Sequence, residues 1–279
     1  MRLAAELGGT IINADSMQVY AELRVLTARP SVEDEVAVPH ALYGFRSAAQ
    51  GYSVGEWLED VAREIEAAQG GGRVPIITGG TGLYFKALLE GLAPVPEIPA
   101  TVRAYWRELA KERNPKQLHG ELARRDPGMA QQIKPEDTQR MVRALEVIDG
   151  TGRSLAAWQS MPTKPVCEDR GISKVVIAPA REALYARVET RVDRMLEQGA
   201  LEEVAALMAL GLDPGLPAMR ALGVDTLIAH LEGHMSLDDA TTTFKTETRR
   251  YAKRQLTWLR GNMVSWDWIE EKDMESFLP

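Results

Sequence analysis

The sequence predicts an α/β fold in which a parallel sheet is flanked by helices and carries a helical insertion. Over residues 1–90, short continuous apolar segments alternate with amphipathic helical segments, an order typical of a parallel sheet covered by helices. Residues 101–160 have helical periodicity throughout, without a convincing strand. The expected domains are an α/β core, formed by residues 1–96 and 166–279, and a helical insertion, residues 97–165.

The first elements of the core are defined by glycines and caps. Residues 1–7 contain good helix formers, lack an N-cap and stop at two glycines, so they predict the end of a helix. Residues 10–15 predict a buried strand that ends on Asp15. Ser53 and Glu56 have the spacing of a capping box and predict the start of a helix over residues 53–68.

The remaining elements are predicted by apolar runs and turn residues. Residues 74–78 predict a strand that runs into a glycine-rich turn and a helix over 83–90. Residues 91–100 are proline-rich and predict a linker. Beyond the insertion, the patterns predict a strand over 174–178, one long helix over 181–210 and a last helix over 238–260.

Composition excludes several classes of protein. The 279 residues are 45% hydrophobic and 26% charged, as in ordinary globular proteins, and no apolar run is long enough to predict a transmembrane helix. The one cysteine, Cys167, has no partner for an internal disulfide, and nothing at the start resembles a signal peptide. We therefore expect a cytoplasmic protein with no membrane association.

Two segments of the core have the composition of a ligand site. Asp15 ends a predicted parallel strand, and ligands of open α/β sheets bind at that edge. A carboxylate there can accept a proton, or it can merely cap a following helix. The turn at Gly79–Gly82 follows a strand and opens a helix, so its backbone suits an anion or forms a plain tight turn. The chain contains no Walker A motif.

The basic residues are segregated, although the formal net charge is −7. Residues 245–260 contain six basic side chains and one acidic side chain, interleaved with Tyr251 and Trp258, a pattern that suits a phosphate backbone and stacked bases or a solvated helix face. Two further helical segments carry arginines at helical spacing, at Arg187, Arg191 and Arg194 and at Arg140 and Arg143. His230 and His234 have i, i+4 spacing but lack the other residues of a zinc site.

Five segments of the chain together resemble the tRNA dimethylallyltransferase family. They occur in the order of the family and extend over nearly the whole chain. In sequence they read Asn13-Ala-Asp-Ser-Met-Gln-Val-Tyr20, Pro39-His40, Gly79-Gly-Thr-Gly-Leu-Tyr84, Gln139-Arg-Met-Val-Arg-Ala-Leu-Glu-Val147 and Tyr251-Ala-Lys-Arg-Gln-Leu-Thr-Trp258.

The resemblance implies a reaction and a core. In this family an exocyclic adenine amine, just 3′ of the anticodon, attacks the primary carbon of dimethylallyl diphosphate, and diphosphate leaves. The core is P-loop-kinase-like, of the nucleotide-binding (ATP-binding) type, with a helical insertion. The implied partners are the anticodon stem-loop of tRNA and dimethylallyl diphosphate, accompanied by Mg²⁺, and we expect a monomer.

The resemblance also implies the site residues. Asp15 matches the general base, and Arg191 matches the arginine near the leaving diphosphate, with Arg187 as the alternative. The matches to tRNA-contacting positions are Asp15, Ser16, Met17, Gln18, Thr81, Arg103, Gln139, Arg140, Met141, Val142 and Arg143.

The sequence departs from the family pattern in two places. The family has a strand and a Walker A loop before the first helix, whereas this chain begins inside that helix, so the first strand and the P-loop are expected to be missing. After Arg220, a tyrosine and a basic residue of the family are Val224 and Asp225. A catalytically degenerate tRNA-binding remnant, or a P-loop-like kinase relative acting on a small molecule, therefore remains an alternative.

Overall fold

The computed structural model describes residues 1–168 and 171–270 and divides the chain into two compact units. The first unit contains residues 1–89 and 166–279, and the second contains residues 90–165. The second unit thus begins at Glu90, earlier than the expected boundary at residue 97.

The first unit contains all the strands of the described chain. Its elements are α1 (Arg2–Leu7), β1 (Gly9–Asn13), α2 (Val32–Ala37), β2 (His40–Ala41), α3 (Val54–Gly70), β3 (Val74–Thr78), α4 (Gly82–Glu90, whose last residue belongs to the second unit), β4 (Val175–Ile177), α10 (Arg181–Glu197), α11 (Ala200–Ala209), a 3₁₀ turn (Ala218–Arg220), α12 (Val224–Leu231), α13 (Leu237–Asn262) and β5 (Asp267–Ile269).

The main sheet has three parallel strands in the order β2-β1-β3. All five residues of the central strand β1 are buried, as expected for a strand covered on both faces. Ile11 packs with Ala4 of α1, whereas Ile12 packs with Trp57 of α3 and Tyr84 of α4. Since side chains alternate along a strand, these contacts place helices on both faces of the sheet. The predicted α/β fold is confirmed.

A second core of the same unit lies among the later helices. Val192 of α10, Val204 of α11, Leu227 of α12 and Phe244 of α13 are buried in one cluster. Leu23 and Leu26, from the segment that follows β1, are buried in the same cluster together with their neighbours. Residues far apart in the chain therefore stabilise each other here.

One sequence prediction for this half is wrong and another is confirmed. Residues 181–210 do not form one helix, because α10 ends at Glu197 and Gly199 has a φ of +96°, a left-handed conformation that glycine adopts without strain. The strand predicted over residues 174–178 is confirmed as β4. It pairs in parallel with β5 as a separate two-stranded sheet.

The second unit, residues 90–165, is described in full and contains helices and loops but no strand. Its helices are α5 (Ala100–Glu112), α6 (Pro115–Arg125), α7 (Pro127–Gln132), α8 (Thr138–Thr151) and α9 (Leu155–Gln159). Trp106, Leu118, Leu122 and Met141 are fully buried in its core. The predicted helical insertion is confirmed.

Candidate active site at the carboxyl edge of the sheet

Asn13, the last residue of β1, fixes the segment that carries Asp15. Its side chain is fully buried. The amide nitrogen Nδ2 donates to the carbonyl oxygens of Asp15 (2.9 Å) and Leu42 (3.0 Å), and the oxygen Oδ1 accepts from the backbone N–H of Asp15 (2.8 Å). An Asn side chain that bonds the backbone two residues on makes a compact turn. Asp15 is therefore held directly beyond the end of the strand.

The glycine turn after β3 packs against the same segment. A Cβ atom on Gly79 would overlap the carbonyl group of Ala14 and lie 2.7 Å from the Asp15 nitrogen, so only glycine fits there. Thr81 Oγ1 accepts from the backbone N–H of Ser16 (2.9 Å) and lies 3.2 Å from Ser16 Oγ. The backbone N–H of Thr81 also donates to Ala14 (3.1 Å). Two predicted site segments, 65 residues apart in sequence, are thus brought together.

The carboxyl group of Asp15 is an unusually strong base for its residue type. Burial raises its pKa above the ordinary value, while backbone N–H groups of Met17 and Gln18 and the positive charge of Arg191 partly oppose the rise. The N–H of Met17 donates to Oδ1 at 2.8 Å. A carboxylate with a raised pKa accepts a proton more readily at neutral pH.

Arg191 of α10 stands within electrostatic reach of Asp15. Its Nη2 donates to the carbonyl oxygen of Thr27 (3.3 Å), and the side chain still exposes part of its surface. Desolvation lowers the pKa of Arg191 and the charge of Asp15 raises it. Because the pKa of arginine is ordinarily above 12, the guanidinium remains charged at neutral pH. Gln18 is held by the same carbonyl of Thr27, at 2.8 Å.

Three tyrosines lie within electrostatic reach of Asp15. Burial raises the pKa values of Tyr43, Tyr84 and Tyr251, that of Tyr43 to about 12, and the negative charge of Asp15 contributes to each rise. Their hydroxyl groups therefore stay protonated at neutral pH. Tyr84 also stacks on Trp57, with ring centroids 4.3 Å apart, so part of its role is packing.

The last helix, α13, covers the glycine turn. Gln255 Nε2 donates to the carbonyl oxygen of Gly80 at 2.8 Å, and a Cβ on Gly82 would overlap the ring of Trp258. A cavity of about 250 Å³ lies beside these contacts, and its lining includes Tyr251 and Arg254. The ring of Trp258 therefore packs on Gly82 in addition to being available for the stacking that its place in the basic helix suggests.

The basic residues of α13 divide into two groups. Lys245 and Arg249 form ion pairs with Asp193 and Glu189 of α10, both at 2.6 Å. These pairs hold two helices of the core together. Arg250 and Arg254 are exposed and line a cavity of about 310 Å³. The lining of this cavity also includes Arg220, Asp225 and Glu247, so acidic side chains balance part of its positive charge.

The other predicted tRNA-contacting residues lie in the helical unit. Arg103 is 3.8 Å from Glu97, and Arg140 is 3.5 Å from Asp137. Arg143 is 3.6 Å from the buried carboxylate of Glu146. These three arginines keep exposed surface for a ligand.

The middle of the predicted Gln139–Arg143 segment differs from its ends. Gln139 is exposed, Val142 is half-buried and Met141 is fully buried in the core of the helical unit. Met141 therefore serves packing, and neither its side chain nor its backbone has exposed surface in this structure.

The described residues do not form a resident metal centre. Within 1–168 and 171–270, no group of three or more His, Cys, Asp and Glu side chains has an arrangement that could hold a metal ion. His230 lies in α12 and its Nδ1 is 3.1 Å from the carbonyl of Met235, whereas His234 lies beyond that helix. Likewise, no helix in the described ranges is long and apolar enough to cross a membrane.

Asn13 and Gln255 lie within the motifs of the sequence, but their contacts in the site are not predicted from it. For Asn13 a local turn signal exists, because an Asn at the end of a strand and two positions before a candidate base can bond the backbone two residues on. Gln255 has no comparable local signal, because its partner Gly80 is 175 residues away.

A buried carboxylate with an arginine in electrostatic reach, at the carboxyl edge of a parallel sheet, is the kind of site that α/β enzymes use for a ligand. A family model described as IPP transferase matches residues 18–262. The chain is 49% identical over 276 residues to a tRNA dimethylallyltransferase of Parvibaculum lavamentivorans, covering 99% of this chain and 87% of the relative. It is 50% identical over 269 residues to one from a Bradyrhizobium species (strain BTAi1), covering 96% and 88%.

Solved structures agree with these relatives. The full-length tRNA isopentenylpyrophosphate transferase of Bacillus halodurans matches with a TM-score of 0.67 and 31% identity, covering 96% of this chain and 84% of that one. A eukaryotic dimethylallyltransferase acting on tRNA has a TM-score of 0.79 at 24% identity, covering 96% and 69%, and supports the fold alone. The chain belongs to the IPP transferase family, whose relatives here are tRNA dimethylallyltransferases.

The raised pKa of Asp15 predicts that its charge destabilises the folded chain. For Asp15→Asn we expect a higher melting temperature than wild type at pH 7, because the buried charge is removed while Oδ1 still accepts from Met17. Because the pKa of Asp15 is raised in the folded state, the cost of its charge disappears as the carboxyl group becomes protonated. The difference in melting temperature between variant and wild type should therefore shrink as the pH falls towards the ordinary pKa of 3.8. Calorimetry between pH 4 and 7 measures it. A lower melting temperature for the variant at pH 7 would contradict the assignment.

Proposed function

We propose that this chain transfers the dimethylallyl group of dimethylallyl diphosphate to the N6 amine of the tRNA adenine immediately 3′ of the anticodon. The observation that carries the proposal is the position of Asp15, a half-buried carboxylate with a raised pKa, held at the sheet edge with Arg191 in electrostatic reach. Membership of the IPP transferase family supplies the type of reaction.

Asp15 is proposed as the general base. The lone pair of an exocyclic adenine amine is delocalised into the ring, so the amine attacks poorly unless its proton is removed as the new bond forms. Oδ1 of Asp15 accepts from Met17, while Oδ2 faces Gly80, where an added Cβ would lie 3.5 Å from it. The space beside Gly80 is filled by the amide of Gln255, whose Nε2 an added Cβ would overlap, so Gly80 serves the close packing of α13 beside Asp15.

The proposed step conserves atoms and charge. The N6 nitrogen bonds to the primary carbon of the donor as the bond from that carbon to the diphosphate oxygen breaks. The electron pair of the broken bond goes to the diphosphate, and the N6 proton goes to Asp15. Arg191 is proposed to stabilise the negative charge that grows on the leaving group, because a fixed cation acts most strongly where charge develops.

Local basic surfaces are proposed to hold the RNA. The target adenine must leave the stacked anticodon loop to reach Asp15, as base-modifying enzymes generally require. Arg254 is exposed on α13 and lines the cavity beside the glycine turn, and the exposed Arg250 lines the other cavity that Arg254 also lines. Arginines on such a surface neutralise phosphates even on a protein with net negative charge. Arg103, Gln139, Arg140 and Arg143 are proposed as further contacts from the helical unit.

The setting of the reaction follows from its substrates. We propose that Mg²⁺ enters as the counter-ion of the diphosphate, bound largely by phosphate oxygens and water, as Mg²⁺ usually is at phosphate sites. We also propose a monomer that works in the cytoplasm, where it meets tRNA. The kinase-like alternative has no support among the relatives found.

Mass spectrometry of an RNA product tests the proposed reaction. The chain is mixed with dimethylallyl diphosphate, Mg²⁺ and an anticodon stem-loop that carries the target adenine. We expect the RNA to gain one prenyl group, and Asp15→Asn to lower the rate about 10²- to 10⁴-fold, the usual contribution of a positioned base. Stem-loop binding should change only a few-fold, because the substitution removes no phosphate contact.

Two controls make the assay specific. A stem-loop with guanine at the target position should gain no mass. A wild-type chain that binds the stem-loop but adds no prenyl group would contradict the proposal and favour a tRNA-binding remnant. Equal loss of binding and transfer in Asp15→Asn would contradict the role of Asp15 as base.

The division of the basic residues of α13 predicts a difference in salt dependence. For Arg250→Ala with Arg254→Ala we expect weaker stem-loop binding and a shallower plot of log K against log salt, by about one unit for each phosphate contact removed. Arg249→Ala is the matched control, because this arginine pairs with Glu189. Fluorescence anisotropy at several salt concentrations measures the slopes. If both variants have the slope of wild type, this face does not contact RNA.

A further inference from the structure

Glu203 of α11 makes an unusual set of contacts with a segment far away in the sequence. Its Oε2 accepts from the backbone N–H groups of Arg24 and Val25, both at 2.8 Å, and its Oε1 accepts from that of Leu26 at 2.9 Å. A single side chain thus satisfies three consecutive backbone donors. Glu203 is half-buried, so these donors would have few other acceptors.

The segment held by Glu203 leads directly to the candidate active site. Leu26 is buried in the helical core of the first unit, and the next residue is Thr27. The carbonyl oxygen of Thr27 accepts from Gln18 Nε2 (2.8 Å) and from Arg191 Nη2 (3.3 Å). Ala28 then has a φ of +47°, a conformation that alanine adopts only where the surroundings impose it. The backbone after Glu203's partners is therefore tightly constrained.

Only a carboxylate suits this arrangement. The three N–H groups need an acceptor with two oxygens, and a glutamine side chain offers one oxygen and two hydrogens that would face a donor. The negative charge strengthens all three bonds. Glu203 also lies within electrostatic reach of Arg29. Burial lowers the pKa of that guanidinium and the charge of Glu203 partly opposes the fall, so the carboxylate has a cationic neighbour.

We propose that Glu203 is a positioning residue for the transfer reaction. By fixing the backbone of Arg24–Leu26 it fixes the carbonyl of Thr27, and that carbonyl sets where the amide of Gln18 and the guanidinium of Arg191 stand beside Asp15. Glu203 itself touches no reacting atom. The kinetic part of this inference rests on the proposed function, whereas the structural part does not.

The first test needs no enzymatic activity. Glu203→Gln and Glu203→Ala are compared with Glu202→Gln, an exposed glutamate in the same helical turn. Hydrogen exchange of the amides of residues 24–26 should accelerate in both Glu203 variants and not in the control. In the same samples, carboxyl-carbon NMR should show a higher pKa for Asp15, because Arg191, which lowers it, is no longer held in place.

The other groups that face Asp15 do not obscure this titration. They are the phenols of Tyr43, Tyr84 and Tyr251, whose pKa values are all raised, so they remain neutral throughout the range in which a carboxyl group titrates. A changed pKa of Asp15 therefore reports on Arg191 and on the backbone donors of residues 17 and 18.

The second test measures the reaction. In Glu203→Gln, the single-turnover rate at saturating substrates should fall about 10- to 100-fold, the cost of a misplacement near 1 Å, while the KM for the stem-loop changes less. The acid limb of the pH profile should move to higher pH together with the pKa of Asp15. Glu202→Gln should keep the rate and the profile of wild type.

The outcomes separate the two proposals. If wild type transfers no prenyl group, the proposed function fails, but hydrogen exchange and the titration of Asp15 still decide the role of Glu203. If exchange accelerates while the pKa of Asp15 and the rate stay unchanged, Glu203 only stabilises the fold and the inference is overturned. Unchanged exchange in both Glu203 variants overturns it as well.

Discussion

The buried amide of Asn13 is the constraint on which the candidate site depends. It joins the end of the central strand to the carbonyl groups of Asp15 and Leu42 and to the N–H of Asp15. The backbone carbonyl oxygen of Asn13 also accepts from Trp57 Nε1 at 2.9 Å. Each of these bonds is buried or partly buried, where an unpaired polar group costs about 1–3 kcal/mol. The position of Asp15 is therefore set by the core of the fold and not by a free loop.

A second constraint comes from the later helices. Gln255 and Trp258 of α13 hold the glycine turn, and Arg191 of α10 approaches Asp15 from another direction. Ion pairs of Lys245 and Arg249 join these two helices. An acidic protein thus uses some of its basic residues to assemble the site and leaves others exposed for an anionic partner, which explains how a net charge of −7 is compatible with RNA.

The sequence predicted the parts of the site that have local signals. Asp15 ends a predicted apolar strand, which places it at the carboxyl edge of a parallel sheet, and Gly79–Gly82 follows the next long strand. The parallel pairing of β1 with β3 puts both segments at that edge. The insertion was predicted from its unbroken helical periodicity. The residue roles assigned by resemblance stay predictions, because no ligand contact tests them.

The features that were missed depend on distant contacts or very short elements. β2 has only two residues, too few for an alternating pattern. The break at Gly199 was overlooked because apolar spacing continues on both sides of it, from α10 into α11. Glu203 reads as an ordinary acidic residue in the first turn of a helix, since the backbone it binds lies 177 to 179 residues away. Such pairings leave no trace in local periodicity.

The most direct measurement is a double-mutant cycle between Asn13 and Asp15. Single-turnover transfer rates are compared for wild type, Asn13→Ala, Asp15→Asn and the double variant, each at a temperature where circular dichroism shows it folded. If Asn13 acts by positioning the base, the double variant will be no slower than Asp15→Asn alone. If the two losses multiply, Asn13 and Asp15 act independently, and the account of a base held by the buried amide is contradicted.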